Sequence, residues 1–162
     1  MQDNQINLVD KMFEFNLWAN TQMLEICSEL TDEQLAVEVE AVFGRIQPTL
    51  VHIIRAEGGY LNRVTGTRPW ADDLDWETML MSELKAMAQL SGKRLIEIAG
   101  KANLATRHET EWQDETYHFF NWTVLAQAFY HGVEHRTQIK ILLTKLGVAH
   151  SDLSVWDYMD SL

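Results

Sequence analysis

The chain has 162 residues, of which 46% are hydrophobic, so residues 1–162 are expected to form one domain with a core of its own. The net charge is −11, from 24 acidic and 13 basic residues, and a surface this acidic argues against nucleic-acid and membrane partners. A lone cysteine, Cys27, excludes an internal disulfide, and the first nine residues lack the pattern of a signal peptide, so we expect a cytoplasmic protein.

The first part of the chain predicts one long helix and one short helix. Apolar residues recur at three- and four-residue steps between Gln5 and Leu30, which is the spacing of one buried stripe on a helix. The members of this stripe are Leu8, Met12, Phe15, Ala19, Met23, Ile26 and Leu30. Residues Thr31 to Gln34 have the form of a capping box at the start of a short helix, and Gly44 marks a break.

A second long helix is expected after this break. Pro48 suits its first turn, where the missing N–H costs nothing, and Gly66 and Pro69 would end it. The adjacent glycines at positions 58 and 59 lower the helix propensity by about 1 kcal/mol each. We expect this pair to admit a neighbouring helix or a ligand.

The remaining elements complete an all-α fold. Aspartates at positions 72, 73 and 75 suit the N-terminal end of a third helix, whose core face runs from Trp76 to Ile98. Residues 103–120 predict a loop or small hairpin, and a last helix should run from Asn121 to Gly147, with a tail that packs back on the bundle. Together these elements predict an up-down-type four-helix bundle.

Two histidines on the last helix are candidate metal ligands. His131 and His135 are four residues apart, which places both imidazoles on one helix face, and they lie in its apolar seam. Burying an imidazole requires a polar partner, which a metal ion would supply. The alternative is a pair of histidines satisfied by hydrogen bonds, and the spacing alone favours this alternative over a metal site. Glu134 faces away from both rings, so it is not expected to act as a base.

His52, early in the second helix, is the third candidate. A single histidine beside apolar residues is more often structural than a ligand. Bundles do, however, build metal sites from facing helices, and three histidines with an open position form a familiar catalytic zinc arrangement. The other histidines, His108, His118 and His150, are expected in solvated loops, and Cys27 is expected in the core.

Several segments of the sequence together resemble one known family. They are His-Gly-Val-Glu-His-Arg-Thr-Gln-Ile at residues 131–139, Thr-Leu-Val-His-Ile at residues 49–53 and Phe-Asn-Leu-Trp-Ala-Asn at residues 15–20. The pattern is similar to that of the DinB family, the DNA-damage-inducible, YfiT-like superfamily of metal-dependent four-helix bundles. Thr137 departs from this pattern, because many relatives have glycine there.

The resemblance implies that His52, His131 and His135 are ligands of one divalent metal ion, with nickel or zinc expected. It also implies a homodimer. Relatives in this family include transferases and isomerases that use a low-molecular-weight thiol, so the resemblance further implies a small-molecule substrate and a thiol cofactor.

Three residues are candidates for a supporting role at the site. Gln138 shares the face of His131 and could orient a ligand or a bound water. Arg136 could bind a carboxylate of the substrate or of a partner helix, or form an ordinary surface salt bridge. Trp18 could line the cavity or belong to the core. Glu57 lies some 140° around the helix from His52, so we expect it to pair with another helix.

Three functions fit this sequence. The first is a metal-dependent enzyme acting on a small molecule, either a thiol-dependent transferase or a hydrolase. The second is a non-catalytic, stress-associated bundle in which the ion stabilises the fold. The third is a structural dimer without metal. No residue in the sequence stands out as a general base, and the catalytic residues stay unassigned.

Overall fold

Four long helices dominate the part of the chain that the computed structural model describes, which is residues 6–38 and 44–162. The elements in chain order are α1 (Leu8–Ser28), α2 (Asp32–Leu35), α3 (Ile46–Thr65), α4 (Met81–Ala99), β1 (Arg107–Trp112), β2 (Glu115–Phe120), α5 (Asn121–Lys145) and α6 (Val155–Asp160). The all-α bundle is confirmed, with α1, α3, α4 and α5 as its four members. No helix in the described ranges is long and apolar enough to cross a membrane.

The long helices begin and end close to the predicted positions, with one exception. Asn7 caps α1 by accepting a hydrogen bond from the N–H of Val9, and Gly66 ends α3 in the left-handed conformation, with a φ of 76°. The predicted start of the first helix, Gln5, lies outside the described residues. The third helix was predicted too early, because Trp76 is buried but precedes α4. The sequence pattern therefore assigned a buried aromatic residue of the preceding connection to the first turn of the helix.

The four long helices form a ring in which α1 and α3 lie across from one another. Each of these two packs against both α4 and α5. Asp10 and Leu17 of α1 approach Gly100 and Gly92 of α4, so these helices are antiparallel. Phe13 of α1 meets Phe129 of α5, and Asn20 meets Arg136, so that pair is parallel. The histidine contacts make α3 and α5 antiparallel. Hence α3 and α4 run in the same direction, so the four-helix bundle is confirmed, but its helices do not simply alternate up and down as predicted.

A long connection between α3 and α4 makes their shared direction possible. It returns along α3, because Trp70 packs on Gly58 and the Met79 carbonyl accepts a hydrogen bond from Gln47 at 3.4 Å. A Cβ atom on Gly58 would lie 2.2 Å from the Trp70 ring. Gly58 therefore admits an indole from this connection, rather than the neighbouring helix or ligand that the sequence suggested for the glycine pair.

The segment before the last helix is a two-stranded antiparallel hairpin. Arg107 pairs with Phe120 at its base and Trp112 pairs with Glu115 at its tip. Gln113 and Asp114 form the turn with φ values of 51° and 61°, the left-handed pair that a tight hairpin requires. The tail does pack back on the bundle, as predicted. Within it, the hydroxyl of Tyr158 donates a hydrogen bond to Glu14 at 3.1 Å.

The core consists of two clusters of buried apolar side chains. The first cluster includes Met23, Leu24, Cys27, Ile46, Leu50, Ile53, Ile54, Leu84, Ala88, Ile139, Leu142 and Leu143. The second cluster comprises Phe13, Leu61, Leu95, Ile98, Ala99, Leu125 and Ala128. Both clusters draw on all four long helices, so each cluster holds one end of the bundle together.

Candidate metal centre

Three histidine side chains from two helices meet at one side of the bundle. His52 lies in the second turn of α3, and His131 and His135 lie one turn apart on α5. The ring centroid of His52 is 4.7 Å from that of His131 and 4.7 Å from that of His135, and the last two centroids are 4.4 Å apart. The structure thus brings together the three residues that the sequence singled out as ligands.

The spacing of the ring nitrogens fits a divalent ion. Bonds between zinc and imidazole nitrogen are about 2.0–2.1 Å, so two nitrogens on one tetrahedral ion lie about 3.3 Å apart. Here Nε2 of His52 and Nε2 of His131 are 2.9 Å apart, and one nitrogen from each of the three rings lies within 4.8 Å of the other two. These three histidines could therefore hold a metal ion.

The rest of the described chain leaves coordination positions open. Outside the three histidines, no cysteine, histidine, aspartate or glutamate from residues 6–38 or 44–162 joins the group. His135 is buried, whereas His52 and His131 are half-buried, so the group borders the surface. An arrangement of three imidazoles with room for further ligands is typical of catalytic rather than structural zinc sites.

Burial keeps the imidazoles of His52 and His131 in the form that binds metals. Burial, followed by the charges of the nearby His135 and His52, lowers the pKa of His131 to about 4. Burial also lowers the pKa of His52, followed by the charges of His135 and Arg55. Both rings are therefore neutral at pH 7, and a neutral imidazole has the lone pair that a metal ion needs.

Gln138 contacts one of the three rings. Its side-chain oxygen accepts a hydrogen bond from Nδ1 of His135 at 2.8 Å, which leaves Nε2 as the nitrogen able to bind a metal. The helix brings the two together because residues three apart share a face. This is the orienting role that the sequence suggested for Gln138, although the ring that it contacts is His135 rather than His131.

Tyr60 forms part of the wall of the site, and the sequence gave no signal for it. Its ring meets His131 edge to face at 5.7 Å between centroids, and its side chain hydrogen-bonds to Gln127. Burial raises the pKa of Tyr60, so the phenol keeps its proton at neutral pH. Tyr60 lies eight residues after His52, about 80° around α3, so both side chains can face α5, but this spacing alone does not single out a tyrosine as part of a site.

Arg136 lies in the interior, which differs from the surface salt bridge or substrate contact that the sequence suggested. Only 3% of it is exposed. One guanidinium nitrogen donates to the side-chain oxygens of Asn16 and Asn20, at 2.8 Å and 2.6 Å. The two asparagines interrupt the apolar surface of α1 at a four-residue spacing, and this was the available signal for an interior partner.

Trp18 lies beside the aromatic residues of α1 and the tail. Its ring centroid is 6.1 Å from that of Phe15 and 5.6 Å from that of Tyr158. Trp18 also packs against the first core cluster. These contacts agree with the core alternative for this residue.

The remaining histidines and the cysteine belong to other surroundings. Nε2 of His108 is 2.7 Å from the side-chain oxygen of Asn121, and Nε2 of His150 is 2.9 Å from the hydroxyl of Thr144. The prediction for Cys27 is confirmed, since it is fully buried. Burial raises the pKa of its thiol to about 12, so Cys27 is not a nucleophile at neutral pH.

Two comparisons with known proteins found a match for this chain. A family model described as the DinB family matches residues 1–161. Protein DinB of Bacillus subtilis (strain 168) is 25% identical over 151 residues, which cover 86% of each chain.

Proposed function

The chain belongs to the DinB family, and we propose that it is a metalloenzyme that holds one divalent ion on His52, His131 and His135 and acts on a small molecule. The observation that carries this proposal is the convergence of three imidazole nitrogens within 4.8 Å. Imidazole ligands suit zinc, nickel, copper and iron, and the resemblance to the family favours zinc or nickel as the proposed metal.

The proposed reaction class is transfer that depends on a low-molecular-weight thiol. A divalent ion held by three imidazoles would supply Lewis acidity, which would lower the pKa of a thiol or a water molecule in an open position. Lowering the pKa of a thiol increases the fraction of thiolate, which is the nucleophile in thiol transfer. The buried thiol of Cys27 does not compete for this role.

The chain's own residues would bind and orient at this site. Gln138 holds the proton of His135 on Nδ1, and the protonated phenol of Tyr60 stands beside His131 as a hydrogen-bond donor. Gln127 bonds to the side chain of Tyr60 and so limits its rotation. We infer that Tyr60 binds a polar group of the substrate.

A metal-dependent hydrolase is the alternative enzyme, and it would use the same open positions with water in place of the thiol. A non-catalytic bundle is less well supported, because structural sites are normally closed by a fourth protein ligand. No such ligand joins the three histidines in the described part of the chain. A homodimer and a cytoplasmic location stay predictions that rest on the family and on composition.

Metal content tests the proposal most simply. We expect protein purified without a histidine tag to bind one zinc or nickel ion per chain by elemental analysis and titration calorimetry. His135→Ala should lose this binding, because the two imidazoles that remain are too few to hold the ion. The matched control is His150→Ala, which removes a partly buried ring that bonds to Thr144, and it should bind as the wild type does.

The thiol is tested on the cobalt-substituted protein. A low-molecular-weight thiol such as 2-mercaptoethanol should produce the near-ultraviolet charge-transfer band of a cobalt–thiolate bond. A cobalt protein whose spectrum does not change at saturating thiol would contradict the transferase and leave the hydrolase. A wild-type chain that binds no divalent ion would contradict both enzymes.

A further inference from the structure

A buried polar cluster joins all four long helices at the centre of the bundle. The carboxylate of Glu57 on α3 accepts hydrogen bonds from the side-chain amides of Asn16 and Asn20 on α1, both at 2.8 Å. Its second oxygen accepts the hydroxyl of Ser91 on α4 at 2.5 Å. The oxygens of both asparagines accept from Arg136 on α5. We name these five residues the polar layer.

The polar layer separates the two apolar clusters of the core. On every long helix its members lie between a residue of one cluster and a residue of the other. The flanking pairs are Phe13 and Met23 on α1, Ile54 and Leu61 on α3, Ala88 and Leu95 on α4, and Ala128 and Ile139 on α5. Apolar packing tolerates small shifts between helices, whereas directional hydrogen bonds fix them in one register.

The same helix turns carry the histidines. Arg136 follows His135 directly, and Glu57 lies five residues after His52, which is about one and a half turns of α3. Because each residue advances a helix by about 100°, holding Arg136 in the interior directs His135 toward the metal site. Holding Glu57 likewise fixes the rotation of α3, which carries His52.

The polar layer is not explained by stability alone. Glu57 and Arg136 are almost fully buried, and burial raises the pKa of the first and lowers the pKa of the second to about 10. Nη2 of Arg136 is buried and has no hydrogen-bond partner among the described residues. An apolar replacement for such a buried pair is often as stable or more so, and the best-attested role of buried polar groups is to fix register.

We propose that Asn16, Asn20, Glu57, Ser91 and Arg136 are positioning residues, which hold α3 and α5 in the one rotation and register that brings the three histidines together. This inference rests on the proposed metal site for its function. The positioning of the three rings can also be tested in the metal-free chain, because they already lie close together there.

The test compares variants of the polar layer with a matched core variant. Glu57→Gln keeps the shape of the side chain but replaces one acceptor oxygen with a donor. Ser91→Ala is a milder change that removes one hydroxyl. Leu95→Ala is the control, since Leu95 is 1% exposed, belongs to the second cluster and takes no part in the hydrogen bonds of the polar layer. Affinity for Co²⁺ is measured by visible absorption under conditions where circular dichroism shows each variant folded.

We expect Glu57→Gln to bind Co²⁺ about 10–100-fold more weakly and Ser91→Ala about threefold more weakly, as found for residues that orient metal ligands. Leu95→Ala should bind Co²⁺ like the wild type, even if its unfolding midpoint falls as far as those of the polar-layer variants. If Glu57→Gln does not fold, the affinity of Ser91→Ala for Co²⁺ decides the test. Equal affinity in a folded variant of the polar layer and in Leu95→Ala would overturn the inference.

A metal-free measurement separates this inference from the proposed function. Long-range proton–nitrogen spectra of the histidine rings report which nitrogens are protonated and hydrogen-bonded. Should the wild type bind no Co²⁺, the proposed function fails, and these spectra decide the inference. Changed signals of His52, His131 and His135 in Glu57→Gln but not in Leu95→Ala support positioning residues, and unchanged signals contradict them.

Discussion

At the metal centre, the side chains of His52 and His131 bind protons more weakly than free histidines do, because of where they lie. Three imidazoles that lie within 4.8 Å repel one another when protonated, and partial burial adds a desolvation cost for the charged form. The pKa of His131 falls to about 4 for these reasons. Since a metal ion and a proton compete for the same lone pair, a site with lowered pKa values is ready to bind metal at neutral pH.

A pH dependence of stability follows for the metal-free protein. The pKa of His131 is near 6.5 when unfolded and about 4 when folded, so between these values the unfolded chain binds more protons. The free energy of unfolding should therefore decrease as the pH falls from about 6.5 to about 4. Urea denaturation at several pH values measures this, and His131→Gln should have a weaker dependence than the wild type.

The difference between these two proteins is the informative quantity. Burial raises the pKa of Glu57, so this carboxyl contributes the opposite slope as the pH rises above about 4.5. That contribution is common to the wild type and His131→Gln and cancels in the comparison. Identical pH profiles for the two proteins would show that His131 is not in the environment described here.

At the scale of helices, the close approach of α1 and α5 depends on Gly132. A Cβ atom at this position would lie 2.7 Å from the side-chain oxygen of Asn16 and 2.8 Å from Nη1 of Arg136. Both atoms are held by buried hydrogen bonds, so neither can move without breaking one. Gly132 therefore leaves room for the hydrogen bond between Asn16 on α1 and Arg136 on α5.

We expect Gly132→Ala to lower the free energy of unfolding by about 1–2 kcal/mol, because overpacking outweighs the gain of about 1 kcal/mol in helix propensity. Gly59→Ala is the matched control. Its nearest neighbour would be Nη1 of Arg63 at 3.5 Å, so it should stabilise the chain by up to about 1 kcal/mol. Urea denaturation compares the two, and equal effects would contradict the packing described for Gly132.

Helix periodicity made most elements predictable from the sequence, and its failures have physical causes. The helix over α1 and the glycine that ends α3 rest on local signals, and both were predicted correctly. Of the apolar stripe predicted for α1, however, only Phe15, Ala19 and Met23 are buried, and Leu8 is exposed. The start of α4 was misplaced because Trp76 is buried without being helical. The six-residue α6 was not predicted as a helix, since one and a half turns give too little periodicity to recognise.

The candidate site was predictable in part for similar reasons. Spacing pairs His131 with His135, but only the family resemblance adds His52, because a contact between α3 and α5 is not encoded in either helix alone. The burial of Arg136 was missed, because an arginine is exposed by default and its partners, Asn16 and Asn20, are more than 100 residues away.

In the whole molecule, the polar layer lies between the two apolar core clusters. The metal centre lies on α3 and α5, which are two of the four helices that the polar layer connects. The shared direction of α3 and α4 depends on the long connection that carries Trp70 back along α3. Such crossover connections place helices independently of their order in the chain. The fold therefore supplies a rigid frame, and the function depends on what the three histidines bind.

Anomalous diffraction from a crystal of the zinc-loaded protein tests that dependence most directly. We predict one anomalous peak per chain, within about 2.0–2.1 Å of one ring nitrogen from each of His52, His131 and His135. A peak bound by other residues, or the absence of any peak at these rings at saturating zinc, would contradict it.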